Sequence, residues 1–294
     1  MIGVGLIGAS CALAARAAGG VAQVVGIGRS QANLDRALAR GAIDRGLLLD
    51  ADWTREVADA DLVLIAIPVA QYRGVLPALA DVLGDRTVIT DAGSTKQDVV
   101  LAARETLRAK LARFVPGHPI AGSERSGAEA GDATLYVGRQ VILTPLPETS
   151  AEAVALVTDF WTACGARVAL LDAGRHDRIL AAVSHLPHLL ASTLVAELAS
   201  RKDSAEYLGS AGSGFRDFTR IAGSSPEMWR DIALANRDAL LTEIAAYRTA
   251  LDALASSIEH GDGAALDTML TRASEARRSW SETAGGIVAT RDGR

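Results

Sequence analysis

The chain has 294 residues, 49% hydrophobic and 22% charged, too apolar for a disordered chain and long enough for two domains of about 100–200 residues each. Thirty Lys and Arg against 35 Asp and Glu leave a net charge of −5, which argues against a broad nucleic-acid surface. Two cysteines, Cys11 and Cys164, exclude a disulfide framework and a cysteine metal cluster. They fit buried thiols in a reducing cytoplasm.

Residues 3–28 (GVGLIGASCALAARAAGGVAQVVGIG) carry a single charge, Arg16. A signal peptide starts basic, and a membrane span favours Leu, Ile and Phe over Gly and Ala, so neither is expected. No other run reaches about 18 apolar residues, and a cytoplasmic protein without a membrane partner is the expectation. Gly3, Gly5 and Gly8 form GxGxxG, with Leu6 and Ile7 between them and an Ala-rich helix behind. In that pattern the glycines give a tight turn, close approach of a diphosphate, and close helix–strand packing. The helix N-terminus then offers N–H groups to phosphate. Only Met1 and Ile2 precede Gly3, so the usual leading strand is nearly absent and a start upstream of Met1 is expected.

The run VVGIG (24–28) ends in Gly28-Arg29-Ser30, where an NAD-binding fold places Asp or Glu on the ribose 2′-hydroxyl. Arg29 can pair with a 2′-phosphate and Ser30 can donate to it. NADP is therefore the preferred cofactor, with NAD possible, and a solvated surface Arg is the alternative reading. DLVLIAIPV (61–69), TVITDAG (87–93) and RQVILTP (139–145) are continuous apolar runs, as in strands buried on both faces of a parallel sheet. Pro68, near the end of the first run, joins the cofactor-binding candidates. Helical patterns at 31–40 and 95–112 complete a βαβ series. The expected fold is α/β, an N-terminal Rossmann-type parallel-sheet domain followed by an all-helical dimerisation domain.

After RVALL (167–171) the strand signal stops, which sets a boundary between residues 1–172 and 173–294. Helical periodicity fills 174–199, 226–260 and 262–281. Leu240, Ile244, Tyr247, Leu251, Leu254 and Ile258 form a coiled-coil-like seam, with Ser225 and Pro226 at its start and Gly261 at its end. Asn236, on the same stripe, faces a site or specifies helix pairing. So many apolar stripes imply a homodimer.

Polar residues concentrate in four places. DAGSTK (91–96) puts Ser94 and Lys96 at the carboxyl end of a strand, where open α/β sheets bind ligands, although a plain turn remains open. GHPIAGSERSG (117–127) places His118 in a glycine-flanked turn with Ser123, Glu124 and Ser126, too polar for a core loop. HDRILAAVSHLPH (176–188) is helical by pattern, and Pro187 is expected to kink it near Val183. Its His185 and His188 share a face, but no third ligand at metal spacing accompanies them, so no metal is expected. GFRDFTRIAGSSPEMW (214–229) sets Arg216, Asp217, Thr219 and Arg220 among aromatic residues. Arg220 beside Phe215, Phe218 and Trp229 suits a desolvated carboxylate, and a surface ion-pair patch is the alternative.

The segments GVGLIGAS, DAGSTK, GHPIAGSERSG, SHLPH and GFRDFTRIAGSSPEMW, in this order, span essentially the whole chain, which resembles the TyrA family of prephenate and arogenate dehydrogenases. The resemblance implies oxidative decarboxylation of a small-molecule cyclohexadienol with hydride transfer to a nicotinamide. By the same resemblance His118 accepts the proton of the ring hydroxyl, and Ser94 orients His118 and touches substrate or nicotinamide. Arg220 holds the ring carboxylate with Arg216 nearby, and His185 and His188 bind substrate polar groups. Glu124 and Asp177 gate the pocket. Two other readings stand beside it: a β-hydroxyacid dehydrogenase and a non-catalytic NADP-binding sensor. The first looks to a helical catalytic Lys, for which the second half offers only Lys202. Nothing in the sequence decides between prephenate and arogenate.

Overall fold

The computed structural model describes residues 1–123 and 125–282. The chain divides into two compact units, Met1–Arg237 and Asp238–Arg294. The first runs α1 (Leu6–Ala17), β1 (Val25–Gly28), α2 (Gln31–Ala39), β2 (Arg45–Leu48), α3 (Thr54–Ala58), β3 (Leu62–Ile65), α4 (Tyr72–Val82), β4 (Val88–Asp91) and α5 (Gln97–Leu107). It continues through β5 (Phe114–Val115), β6 (Gly117–Pro119), β7 (Gln140–Leu143), α6 (Ala151–Ala163) and β8 (Arg167–Leu170). Helices close it: α7 (Ala173–Leu180), a π-helical turn Ala181–His185, α8 (Leu186–Ala199), α9 (Ser204–Gly209), α10 (Ser213–Thr219) and α11 (Pro226–Ala235). Beyond lie α12 (Arg237–Glu259) and α13 (Gly263–Glu282).

Strand β1 pairs in parallel with β2, and β3, β4 and β5 pair in parallel with one another. Ile2 joins these two sets, bridging in parallel to Ile27 of β1 and Ile65 of β3. The nearly absent leading strand is thus a single residue in the centre of the sheet. Its backbone is fully used: Ile2 N–H donates to Leu64 O, and Ile2 O accepts from Ala66 N–H. The order β2-β1-Ile2-β3-β4-β5 is that of a doubly wound nucleotide-binding sheet. A second sheet has β7 in its middle, antiparallel to β6 and parallel to β8.

Alternation along each strand builds two cores. Val63, Ile65, Ile89 and Phe114 face one cluster with Tyr72, Leu76 and Val99. Leu64, Val88 and Val115, one residue out of phase, face another with Val141, Leu143 and Trp161. Both faces of the sheet are buried, which is why the strands read as continuous apolar runs. Cys11 and Cys164 are both buried in the second cluster.

Two local expectations are corrected, and one strand was not anticipated. His118 lies on the short strand β6, not in a turn, because residues 117–119 find an antiparallel partner in β7. The pattern over 226–260 is two helices, interrupted at Asn236, which caps α11. Strand β2 carries too short an apolar stretch, RGLL, to announce itself. Pro187, lacking an N–H, stands in the first turn of α8, directly after a π turn that includes Val183. The stretch Ala173–Ala199 is long and apolar enough to cross a membrane by length and composition alone. Inside it, however, His176, Asp177 and His185 are buried polar residues. In the second unit, Tyr247, Leu251 and Ile258 of the seam are exposed in the single chain.

Trp161 is fully buried and packs edge-to-face against Tyr136 and Phe160, with ring centroids 5.1 and 5.5 Å away. Replacing it by alanine leaves a large void between α6 and the second sheet. Trp161→Ala is expected to cost about 3–5 kcal/mol in a denaturant-unfolding experiment, and a loss below about 1 kcal/mol contradicts this packing.

Candidate active site

The glycine loop is shaped for close approach. Gly3 has φ +92°, and a Cβ there would stand 2.3 Å from Ala66 O. A Cβ on Gly8 would stand 2.2 Å from Gly3 O, whereas one on Gly5 meets nothing within 4 Å. Gly3 and Gly8 are therefore fixed by packing, and Gly5 leaves open space at the N-terminus of the twelve-residue helix α1, where no side chain caps the helix. Leu6 and Ile7 are half-buried in its first turn. This cradle, with its unfilled room at Gly5 and a positive helix end, fits the diphosphate of a dinucleotide.

Neighbouring segments brace the loop. Asn33 Nδ2 donates to Val4 O (2.7 Å), while Asn33 Oδ1 accepts from Ala128 N–H (2.9 Å). Tyr136 OH donates to Ile7 O (2.6 Å). At the end of β1, Arg29 is exposed. The Ser30 hydroxyl accepts from Asn33 N–H and caps α2. Pro68 follows β3, at the head of a short 3-10 turn.

A cavity of about 640 Å³ lies between β6 with its following loop and the helices from α7 to α11. His118, Ser123, Ser184, His188 and Arg220 are polar residues of its wall, and Trp229 adds an aromatic ring. His188 stacks on Trp229 with centroids 3.6 Å apart. Burial and the nearby Arg220 guanidinium lower the His188 pKa to about 4.

Behind His118 runs a chain of hydrogen bonds. The Asp177 carboxylate accepts from Lys96 N–H (2.9 Å), Gln97 N–H (2.8 Å) and His176 Nδ1 (2.7 Å). Burial opposes its ionisation, but the bonds from His176 and Gln97 outweigh that and hold its pKa below the usual carboxylate value. An ionised Asp177 only accepts, so His176 carries its proton on Nδ1 and leaves Nε2 as an acceptor. The contact of 2.9 Å between His176 Nε2 and His118 Nδ1 then requires His118 Nδ1–H to donate. The remaining ring nitrogen of His118, Nε2, keeps its lone pair. Burial first, then the His176 ring and the Lys96 cation, push the His118 pKa well below its ordinary value. The site presents a neutral imidazole base on a cavity that also holds a guanidinium.

The sequence candidates fare differently. His118, His188 and Arg220 meet at the cavity. His185 is buried away from the cavity wall: its Nδ1 accepts from Asn236 Nδ2 (3.0 Å), and burial lowers its pKa to about 4. Asp177 is buried beneath His176 and not at the cavity mouth. Ser94 is half-buried on the loop after β4, and among the described residues His176, not Ser94, bonds the His118 ring. Arg216 is exposed on α10 and does not line the cavity. Glu124 lies outside the described residues. Lys96, expected to face a ligand, is fully buried.

Two contributors were not assigned a role from sequence: His176 and Ser184. Asn236 does not line the cavity; it ties α11 to the helices behind it, its Nδ2 donating to Asp177 O (2.8 Å) as well as to His185. The signal for His176 was the adjacent His176-Asp177 pair at the start of a helix.

Residues 11–170 match the family described as prephenate dehydrogenase, nucleotide-binding domain, and residues 172–272 match the prephenate dehydrogenase dimerization domain. The chain is 39% identical to a cyclohexadienyl dehydrogenase of Zymomonas mobilis, over 90% of this chain and 89% of that one. It is 36% identical to a prephenate dehydrogenase of Bacillus subtilis, over 89% of this chain and 70% of that one. Among solved structures, prephenate dehydrogenase from Aquifex aeolicus, in complex with hydroxyphenyl propionate and NAD+, superposes with a TM-score of 0.87 at 34% identity, covering 95% of this chain and 96% of that one. Synechocystis arogenate dehydrogenase gives 0.80 at 28% identity, covering 95% and 98%. With both matched domains in sequence and a fold and cavity to carry them, the chain belongs to the prephenate dehydrogenase family.

Proposed function

We propose that this chain catalyses oxidative decarboxylation of prephenate or arogenate, giving 4-hydroxyphenylpyruvate or tyrosine. The observation that carries this reading is the Asp177–His176–His118 chain, which ends in an acceptor nitrogen on a cavity shared with Arg220. The relatives named as cyclohexadienyl, prephenate and arogenate dehydrogenases support it.

In this reading His118 Nε2 takes the proton of the ring hydroxyl, and His176 and Asp177 spread the resulting positive charge. When bound, the nicotinamide accepts hydride from the carbon bearing that hydroxyl. Loss of the ring carboxylate as CO2 leaves a phenolate, to which His118 returns the same proton. The base is thus regenerated within one turnover. Arg220 pairs with the ring carboxylate, while His188 and the Ser123, Ser184 and Ser224 hydroxyls meet the remaining polar groups of the substrate. Ser94, half-buried on the loop after β4, is the candidate for contact with substrate or nicotinamide, and His185 acts through its bond to Asn236.

Residues 1–172 serve as the dinucleotide-binding domain and 173–294 as the helical substrate and dimerisation domain. The exposed seam residues Tyr247, Leu251 and Ile258 support a homodimer. The setting is cytoplasmic, with no nucleic-acid or membrane partner. NADP is the preferred cofactor because Arg29 is exposed at the end of β1 in place of an acidic residue.

His118→Asn is expected to lower kcat by about 10²–10⁴-fold with little change in cofactor affinity, and unchanged turnover removes His118 from the role of base. In the wild-type enzyme, lowering the pH protonates His118. The acid limb of kcat/KM is therefore expected well below the ordinary imidazole value of about 6.5, because the folded pKa is depressed. Arg29→Ala is expected to weaken NADP+ more than NAD+ in fluorescence titrations; equal loss for both contradicts the NADP preference. Gly5→Ala and Gly8→Ala separate binding from folding. The first is expected to keep the wild-type melting temperature and lose cofactor affinity. The second is expected to lower the melting temperature, because its Cβ meets Gly3 O.

A further inference from the structure

Lys96 is a charged residue in the floor of this site, fully buried and shut off from the cavity. Its ammonium pairs with the equally buried Asp91 carboxylate and donates to Gly117 O (2.6 Å), the carbonyl directly before His118. Asp91 is saturated in turn, accepting from Gly117 N–H (2.9 Å), Gly93 N–H (2.8 Å) and Tyr72 OH (2.9 Å). Through its own backbone N–H, Lys96 also donates to Asp177 (2.9 Å), which holds His176 against the His118 ring. One residue therefore reaches His118 by two routes, through its preceding peptide and through its ring.

We propose that Lys96 is a positioning residue for His118, fixing the strand that carries the imidazole through Gly117 and the ring itself through Asp177 and His176. The proposal rests on the reading of His118 as the base. A buried ion pair contributes little net stability when replaced by apolar groups of similar volume, so stability alone gives no reason for a lysine here. Its charge does have a target. The Lys96 cation opposes protonation of both His118 and His176, and Asp91 favours protonation of His176. The other groups facing this cluster are Tyr72 of α4, Asp98 of α5, Asp177 of α7, and His185 of the π turn. His188 and Arg220 share the cavity with His118. Burial and the neighbouring Asp91 raise the Tyr72 pKa far above neutrality, so Tyr72 stays a neutral donor.

The two members of the ion pair make opposite predictions, which generic damage to packing does not. Lys96→Met removes the cation, so the acid limb of kcat/KM is expected to move up by about half a pH unit or more, with a lower plateau in kcat. Asp91→Asn removes the anion and leaves the cation, so its limb is expected to stay or fall. Lys96→Gln, which keeps a hydrogen-bond donor, is expected to show the same upward shift as Lys96→Met and secures the test if the methionine variant fails to fold. Melting temperature and cofactor affinity are recorded for each variant. A limb that stays put in the Lys96 variants, or rises equally in Asp91→Asn, overturns the proposal. A wild-type profile without an acid limb overturns the reading of His118 as base instead.

Discussion

The carboxylate of Asp177 is the constraint on which the site depends. It closes the N-terminus of α5 by accepting from the N–H groups of Lys96 and Gln97, and it fixes the His176 ring with its other bond. A helix N-terminus carries unsatisfied donors and a positive dipole end, so an acidic side chain from another helix is held there firmly. That contact joins the sheet domain to the first helix after it. The tautomer of His176, and with it that of His118, follows from the charge on Asp177 together with the burial that keeps the His176 ring neutral. Asn236 reinforces the arrangement from the far side by donating to Asp177 O and His185.

The sheet places these groups. Alternating side chains bury both faces, so the strands are stiff and the polar residues collect at their carboxyl ends. Asp91 ends β4, and Ser94 and Lys96 follow it directly. His118 sits on β6 beside the first sheet, in register with Ile142 of β7. The glycine loop joins the same system through the Asn33 and Tyr136 bonds, so the cradle at α1 and the loop after β6 are braced by one set of contacts. Burial holds His185 and His188 neutral as well as His118, which keeps added positive charge away from the base.

What was legible in the sequence was local. The apolar runs that became β3, β4 and β7 and the glycine loop before α1 are continuous signals, and the residues that matter in them are near neighbours. The motifs around His118, His188 and Arg220 were dense enough in polar residues to stand out from core packing. The rest depends on contacts between distant positions. His118 and His176 are 58 positions apart, so no spacing rule connects them. Lys96 was read as a ligand contact because its position at a strand end is right for one; its long stem instead turns back to Asp91 and Gly117. Strand β6 has only three residues, too few to show a strand pattern; Pro119 favours extended backbone at His118, and pairing with β7 makes it a strand. Asn236 stood out in sequence as a polar residue on an apolar stripe, but its partners, Asp177 O and His185 on other helices, lie 59 and 51 positions away.

The central claim is that Asp177 sets the tautomers of two histidines so that His118 Nε2 is an open acceptor. The most direct measurement is nitrogen NMR of histidine-labelled protein at neutral pH, assigned with His118→Asn and His176→Asn. The account predicts that His118 and His176 are both neutral and both protonated on Nδ1, with unprotonated Nε2 resonances. A His118 ring protonated on Nε2, or charged at neutral pH, contradicts it.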